Sequence, residues 1–204
     1  PNEFKDDHLG YVELICKEMI PAVSEQGIAK FNDVFCEKDY FSINESRQIL
    51  ECGIKYGLKP RMHADEFVDS GAAELAGEIG AFSADHLMAV SEEGIKALSD
   101  NNVIATLLPG TTFFLGKSNY APARKLIDAG ITIALATDYN PGSSHIQSMP
   151  FIISLACLFL GLTVEEAFAA ATYNAAQTLG LNNEVGSIEL GKKADLIIWD
   201  LDSL

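Results

Sequence analysis

Three short groups of histidine and acidic residues, each at the end of an apolar run, are the parts of this sequence best suited to chemistry. They lie at residues 63–66, 84–86 and 136–138. In a parallel α/β barrel the side chains at the carboxyl ends of the strands meet on one face, so groups that are distant in sequence converge there. Imidazoles and carboxylates brought together in this way can bind a divalent metal and activate water. The spacing therefore predicts a metal-dependent hydrolase site.

His63 and Asp138 are the predicted metal ligands, because one offers an imidazole nitrogen and the other a hard carboxylate oxygen. Zinc and ferrous iron both accept this pair, so we expect one divalent metal, zinc or iron. Zinc hydrolases usually supply three protein ligands, and a further ligand is therefore expected from elsewhere. A single histidine at a strand end could equally be a hydrogen-bonded core residue, but the convergence of several such groups favours a site.

Glu66 and His86 are predicted to act on the substrate. Glu66 follows His63 by three residues, on a loop from which its carboxylate can reach a substrate; the alternative is a solvated carboxylate at a helix N-terminus. His86 could polarise a substrate carbonyl, act as an acid or supply a third metal ligand, and we favour polarisation. Asp65 and Asp85 are expected to orient their neighbours or to accept hydrogen bonds from loop amides.

Strands and helices alternate along the chain and would position these groups. Apolar periodicity and turn residues predict strands at residues 31–36, 59–63, 81–86, 103–108 and 131–138. Helices are predicted at about residues 8–26, 42–57, 72–79, 91–99, 120–129, 147–160 and 164–178. Repeated strand-then-helix units predict parallel strands with right-handed crossovers.

These units indicate an α/β fold that forms part of a (β/α)8 TIM-type metal-dependent hydrolase barrel, with about five βα units. A doubly wound open sheet would fit the same alternation, but no glycine-rich phosphate-binding sequence follows a strand. We expect residues 1–180 to form the partial barrel and residues 181–204 to begin a return to a small β-domain. Residues 191–200 end in a predicted strand whose partners would lie outside this sequence.

Composition and charge exclude several classes of protein. The chain has 204 residues, 48% of them hydrophobic, and a formal net charge of −15. An acidic surface repels polyanions, so nucleic-acid binding is not expected. Because the four cysteines are scattered and no apolar stretch is long enough to span a bilayer, we expect reduced thiols, a cytoplasmic location and no membrane association.

Several segments resemble the imidazolonepropionases, histidine-degradation enzymes of the amidohydrolase superfamily. The resemblance extends over nearly the whole sequence and is carried by residues 35–37, 63–67, 83–87, 107–111, 136–144, 186–188 and 191–196. The terminal segments indicate only an amidohydrolase. The loop after Asp138 together with residues 63–67 is more specific.

The resemblance implies hydrolysis of the ring amide of 4-imidazolone-5-propanoate to N-formimino-L-glutamate. His63 and Asp138 would be the ligands of a zinc or iron ion, and Asp138 would also accept the proton of the nucleophile. The implied catalytic residues are Glu66, His86 and Asp138. The residues implied to contact substrate or product are Glu66, His86, Asn140, Gly142 and Ser143. The substrate would be a small molecule with a carboxylate, and the complete enzyme would be a homodimer.

The sequence lacks the His-x-His pair with which family members end their first barrel strand. The resemblance therefore indicates the C-terminal half of such an enzyme. Two alternatives stay open. Another amidohydrolase, such as a nucleobase or cyclic-amidine deaminase, would share the strand-end ligands, although the loop at residues 139–144 favours a carboxylated imidazolone. An inactive fragment or scaffold half would account for the missing ligands.

Overall fold

The computed structural model describes residues 1–200, which divide between Val103 and Ile104 into two compact units. Strands alternate with helices in both units, and the strands that pair within each unit are parallel. The α/β class and the five predicted strands are therefore confirmed. No helix in the described part of the chain is long and apolar enough to cross a membrane.

The first unit contains strands β1 (Phe31–Cys36), β2 (Lys59–Ala64) and β3 (Ser83–His86). Its helices are α1 (His8–Leu14), α2 (Ile20–Glu25), α3 (Ile43–Lys55), α4 (Ala72–Glu78) and α5 (Glu92–Asp100). A π-helical segment, Ile15–Met19, joins α1 to α2. The helix α3 begins with a capping box in which Ser42 and Glu45 bond each other's backbone amides, as the sequence predicts.

The pleat of β2 determines which side chains can reach a site. Pro60, Met62 and Ala64 are buried on one face, whereas Arg61 and His63 alternate with them and point to the other. Burial of a side chain such as Met62 stabilises the fold by about 1.5–3 kcal/mol. A slip of one residue would expose this core face, so the apolar residues of β2 hold His63 in its orientation.

The second unit contains the parallel strands β4 (Ile104–Leu107) and β5 (Ile133–Leu135). Its helices are α6 (Pro109–Phe114), α7 (Ala123–Asp128), α8 (Met149–Leu155), α9 (Val164–Ala171) and α10 (Tyr173–Thr178). A π-helical segment, Ala156–Leu160, continues α8. The fully buried Leu107 and Leu126 belong to the core of this unit.

Three elements of the second unit differ from their predictions. Helix α6 was not predicted, because Pro109 and Gly110 suggested a turn, whereas proline is well suited to the first position of a helix. Strand β5 ends at Leu135, so Asp138 lies on the loop beyond it. The helix predicted over residues 164–178 is broken at Thr172, whose φ of −125° and ψ of −88° are not helical.

The strand predicted near the end of the chain is not formed within residues 191–200, which adopt neither helix nor strand. A strand requires a neighbour to accept and donate its backbone hydrogen bonds, and the apolar pattern alone cannot supply one. Ile197 and Ile198 are 78% and 95% exposed. The part of the prediction at residues 201–204 lies outside the described residues.

Candidate active site

Three of the predicted site residues lie together at the carboxyl ends of β2 and β3. The ring centroids of His63 and His86 are 5.2 Å apart. Glu66 Oε2 lies 3.6 Å from His86 Nε2, and both of these side chains are almost fully buried. The structure thus brings one carboxylate and two imidazoles to the same edge of the sheet.

Burial and the nearby His63 lower the pKa of His86 from 6.5 to about 3. His86 is therefore a neutral imidazole at physiological pH, with one nitrogen that donates and one that accepts. Its Nδ1 is buried and has no hydrogen-bond partner among residues 1–200. This chemistry suits either a donor to a substrate carbonyl or a metal ligand, the two roles that remain open for this residue.

Asp33 supports His63 from the neighbouring strand. Its Oδ2 lies 2.9 Å from His63 Nδ1. A carboxylate close to one ring nitrogen can orient an imidazole whose other nitrogen binds a metal. Asp33 was not among the site residues predicted from the sequence. The available signal was that Asp33 is a carboxylate within a predicted strand. Asp33 pairs in register with Arg61, and Arg61 and His63 lie on the same face of β2, so Asp33 lies on that face too.

Asp85 contacts Arg61 and Ser83. Arg61 Nη2 lies 3.3 Å from Asp85 Oδ2, and Ser83 Oγ donates to Asp85 Oδ1 at 2.9 Å. Burial raises the pKa of Asp85, and the Arg61 guanidinium opposes that rise. Asp85 is thus tied to its neighbours, in agreement with the orienting role expected from the sequence.

Backbone strain is concentrated beside these residues. Asp65, His86 and Asp138 have positive φ values of 48°, 77° and 51°. The left-handed region disfavours residues with a Cβ, and such conformations persist only where surrounding contacts hold them. Strained residues occur frequently at active sites, so the position of these three supports a functional role for the strand ends.

Asp65 supplies the contacts that hold one of these strained turns. Its carboxylate accepts hydrogen bonds from the amides of Ser70, Ala72 and Ala73 and from Ser70 Oγ, at 2.9 to 3.1 Å. Asp65, Asp69 and Glu74 have oxygens within 4.8 Å of one another. Because the Asp65 oxygens are already engaged by amides at the start of α4, we assign this cluster to structure, as predicted for Asp65.

Asp65→Asn is expected to lower the free energy of unfolding by about 3 kcal/mol. Asparagine replaces one carboxylate oxygen by an NH2 group, which cannot accept the buried hydrogen bonds that this oxygen accepts, whichever of the two oxygens is replaced. Urea denaturation measures this change. The matched control is Asp69→Asn, an exposed residue whose single hydrogen bond from the Gly71 amide an asparagine oxygen can keep. Equal stability of the two variants would contradict the structural role of Asp65.

Glu37 anchors the loop that carries Glu66. It is buried at the end of β1, and its Oε2 accepts a hydrogen bond from the Phe67 amide at 2.8 Å and one from the Val68 amide at 3.4 Å. These bonds fix the backbone immediately after Glu66. Glu37 lies in one of the segments that resemble the imidazolonepropionases, but no role was predicted for it from the sequence.

In the second unit, Asp138 contacts a threonine. Thr111 Oγ1 donates to Asp138 Oδ2 at 2.5 Å, and Thr111 is fully buried at the start of α6. A buried hydroxyl that donates to one carboxylate oxygen restricts the rotation of the Asp138 side chain. Thr111 was also missed as a site residue, although its place just after β4 is the position at which site residues are expected.

The loop after Asp138 is organised by Asn140. Asn140 Oδ1 accepts hydrogen bonds from the amides of Gly142 and Ser143, both at 2.8 Å. Its Nδ2 donates to the Asp138 carbonyl and to Ser143 Oγ. His145 is exposed, and its Nε2 lies 3.1 Å from the Pro141 carbonyl oxygen. The structure therefore places Asn140, Gly142 and Ser143 in one bonded group.

The sequence model of the amidohydrolase family matches residues 86–204. The chain belongs to the amidohydrolase family. This amidohydrolase is 55% identical over 201 residues to imidazolonepropionase of Geobacillus sp. (strain WCH70), covering 98% of the chain and 47% of the relative. It is 48% identical over 204 residues to imidazolonepropionase of Alkaliphilus oremlandii (strain OhILAs), covering 100% of the chain and 48% of that relative. The resemblance seen in the sequence is confirmed, and the chain spans about half the length of these relatives.

Solved structures share the fold of this amidohydrolase. An adenosine deaminase from Xanthomonas campestris with bound zinc has a TM-score of 0.73 and 19% identity, over 87% of this chain and 46% of that one. An amidohydrolase from an environmental sample of the Sargasso Sea has a TM-score of 0.72 and 19% identity, over 92% of this chain and 46% of that one. The likeness confirms the predicted α/β fold, which this chain shares with about half of each of these proteins.

Each of the two predicted metal ligands offers a donor of a kind that a divalent metal accepts. His63 has a carboxylate against one ring nitrogen, which is the usual support of a metal-binding histidine. Asp138 has a hydroxyl against one oxygen. Imidazole and carboxylate are ligands that both zinc and iron accept.

Proposed function

We propose that this protein hydrolyses the cyclic amide of 4-imidazolone-5-propanoate to N-formimino-L-glutamate in histidine degradation. The observation that carries the proposal is the group of the buried Glu66 and His86 with the partly exposed His63 at the ends of β2 and β3. Similarity to proteins named imidazolonepropionase over 98% of the chain supports the choice of substrate.

His63 and Asp138 would hold one zinc or iron ion, and the chemistry that such an ion supplies is to lower the pKa of a water toward neutrality. Asp33 would keep the His63 ring in place, and Thr111 would do the same for the Asp138 carboxylate. Asp138 would also accept a proton from the attacking water, since a carboxylate beside the nucleophile can act as general base.

Glu66 and His86 would bind the ring. Neutral His86 can donate an N–H to the carbonyl oxygen of the scissile amide and stabilise the negative charge that develops there. The Glu66 carboxylate, held by the loop that Glu37 anchors, can accept a hydrogen bond from a ring N–H. Burial of both side chains strengthens these interactions, because little water competes for them.

The loop at Asn140, Gly142 and Ser143 would contact the substrate. The amides of Gly142 and Ser143 already donate to Asn140 Oδ1, so a substrate carboxylate would bind them by replacing that oxygen as the acceptor. Backbone amides grouped in this way can bind an anion even on an acidic protein.

Several finer points belong to the same proposal. The complete enzyme would be a cytoplasmic homodimer that acts on a small carboxylated molecule and binds neither nucleic acid nor membrane. Residues 1–180 would belong to the hydrolase barrel, and residues 181–204 would begin the return to a small β-domain.

The test combines metal content with turnover. The protein is stripped with a chelator, dialysed, and reloaded with zinc or with ferrous iron under anaerobic conditions; metal is then measured by elemental analysis and hydrolysis of 4-imidazolone-5-propanoate by product formation. Turnover that returns with about one metal per protein supports the proposal. Metal-dependent release of ammonia from an aminated purine or cyclic amidine, without ring opening of the imidazolone, would replace it with a deaminase.

Thr111→Val is expected to reduce metal affinity or kcat by about 10-fold to 100-fold, the usual effect of removing a group that supports a ligand. The valine keeps the shape but not the hydroxyl that donates to Asp138. Thr111→Ser keeps the hydroxyl donor and should therefore keep most of the metal affinity and kcat that the valine variant loses. Metal titration and steady-state kinetics measure both; a serine variant as impaired as the valine variant would indicate a packing defect instead.

A further inference from the structure

Two of the four cysteines lie against each other in the first unit. Cys52, on α3, places its Sγ 3.2 Å from the carbonyl oxygen of Cys16, which lies in the π-helical segment between α1 and α2. Cys16 Sγ in turn lies 3.8 Å from the carbonyl oxygen of Gln48, one turn before Cys52 on α3. The two thiols therefore sit in the same contact between the N-terminal helical segment and α3.

The two thiols are also close enough to influence each other electrostatically. A hydrogen bond with the Cys52 side chain and the charge of that side chain are among the causes that raise the pKa of Cys16 to about 11, after the larger effect of burial. Both residues are partly exposed, so a small reagent can reach the pair. The remaining thiols differ: Cys36 is only 1% exposed, and Cys157 Sγ lies near the Thr163 carbonyl oxygen in the second unit.

We propose that Cys16 and Cys52 are a modification site, a dithiol that a small-molecule disulfide such as oxidised glutathione converts into an intramolecular disulfide. The site does not involve the residues assigned to catalysis, and the inference is independent of the proposed function.

The reaction proceeds by two thiol–disulfide exchanges. Cys52, as the thiolate, attacks one sulfur of oxidised glutathione, and a first glutathione thiolate leaves. Cys16 then loses its proton and attacks the Cys52 sulfur of the mixed disulfide, which releases the second glutathione. Two protein thiols are oxidised to one disulfide, and one molecule of oxidised glutathione is reduced to two thiols. Only the thiolate attacks, and the raised pKa of Cys16 disfavours that residue as the first nucleophile.

The product would covalently join the N-terminal helical segment to α3. Such a link closes a long loop of chain and so restricts the unfolded state. A raised midpoint of thermal unfolding in the oxidised protein is therefore expected, and it should disappear on reduction.

Peptide mapping tests the inference on the whole protein. After equilibration in glutathione buffers of increasing oxidised fraction and acid quenching, free thiols are alkylated and the protein is digested with trypsin. Cleavage after lysine and arginine puts Cys16 in the peptide 6–17 and Cys52 in the peptide 48–55. We expect these two peptides to be joined as the major oxidised product, two hydrogens lighter than their sum, and to separate on reduction.

Two variants sharpen the result. Cys16→Ser should leave Cys52 as a glutathione adduct and abolish the thermal shift, whereas Cys157→Ser should leave the linked peptides and the shift unchanged. The inference is overturned if glutathione stays on Cys52 in the wild type without resolution, if Cys52 does not react, or if the linked peptides join Cys16 or Cys52 to another cysteine. None of these outcomes depends on imidazolone turnover.

Discussion

Asp138→Asn is expected to abolish turnover, with a loss in kcat of about 10³-fold or more, and to weaken metal binding. Asparagine removes the negative charge that attracts a divalent cation and cannot accept a proton from the attacking water. It does preserve the size of the side chain and an oxygen that can accept from Thr111. The expected loss is therefore one of charge and proton transfer rather than of packing.

Metal content by elemental analysis and kcat on 4-imidazolone-5-propanoate measure the two effects separately. His145→Ala is the matched control from the same loop. In the described part of the chain, His145 Nε2 lies against the Pro141 carbonyl oxygen and the His145 ring packs on Phe114. We expect this variant to stay within about two-fold of wild type, as for an exposed residue away from the chemistry. Wild-type turnover in the Asp138 variant would refute the assignment of the site.

Glu66→Gln is expected to retain the metal and lose ring hydrolysis by about 10² to 10³-fold. Glutamine has nearly the shape of glutamate, so the buried loop should be preserved. It has no charge, however, and it places an amide group 3.6 Å from His86, where the wild-type carboxylate lies. The ring N–H of the substrate would lose its charged acceptor, so the substrate ring would be held less well in the reactive orientation.

The Glu66 variant is compared with Glu78→Gln, which removes a carboxylate from the surface of α4, where it pairs with Arg47. Circular dichroism and metal analysis establish that both variants are folded and loaded, and steady-state kinetics then compare kcat and KM. Normal hydrolysis by the Glu66 variant would show that the Glu66 carboxylate is not needed to bind the ring. Loss of metal together with activity would instead make Glu66 part of the metal environment.

The strand positions of the first unit could be read from local patterns. The apolar residues of β2 alternate with Arg61 and His63, and the same alternation in the folded strand turns His63 away from the core. The capping box at Ser42 and Glu45 is equally local, since both residues belong to one helix turn. These features depend on neighbours within a few positions, which a sequence displays directly.

The supporting contacts of the site could not be predicted in this way. Asp33 reaches His63 across two paired strands, and Thr111 reaches Asp138 across the 27 positions that separate them in the chain. The sequence indicated that Asn140, Gly142 and Ser143 contact the substrate, but not that Asn140 Oδ1 accepts hydrogen bonds from the Gly142 and Ser143 amides. Each contact depends on how separate segments pack.

The sequence by itself determined the chemistry at the strand ends: which imidazoles and carboxylates are present, the α/β alternation that carries them, and the family they indicate. Tertiary structure decided how those groups are held, through Asp33, Glu37 and Thr111, and it decided that the apolar run at residues 191–200 is not a strand. The physical reason is that periodicity encodes which face of an element is buried, whereas a hydrogen bond between distant residues and the pairing of a strand require a partner that only the folded chain can supply.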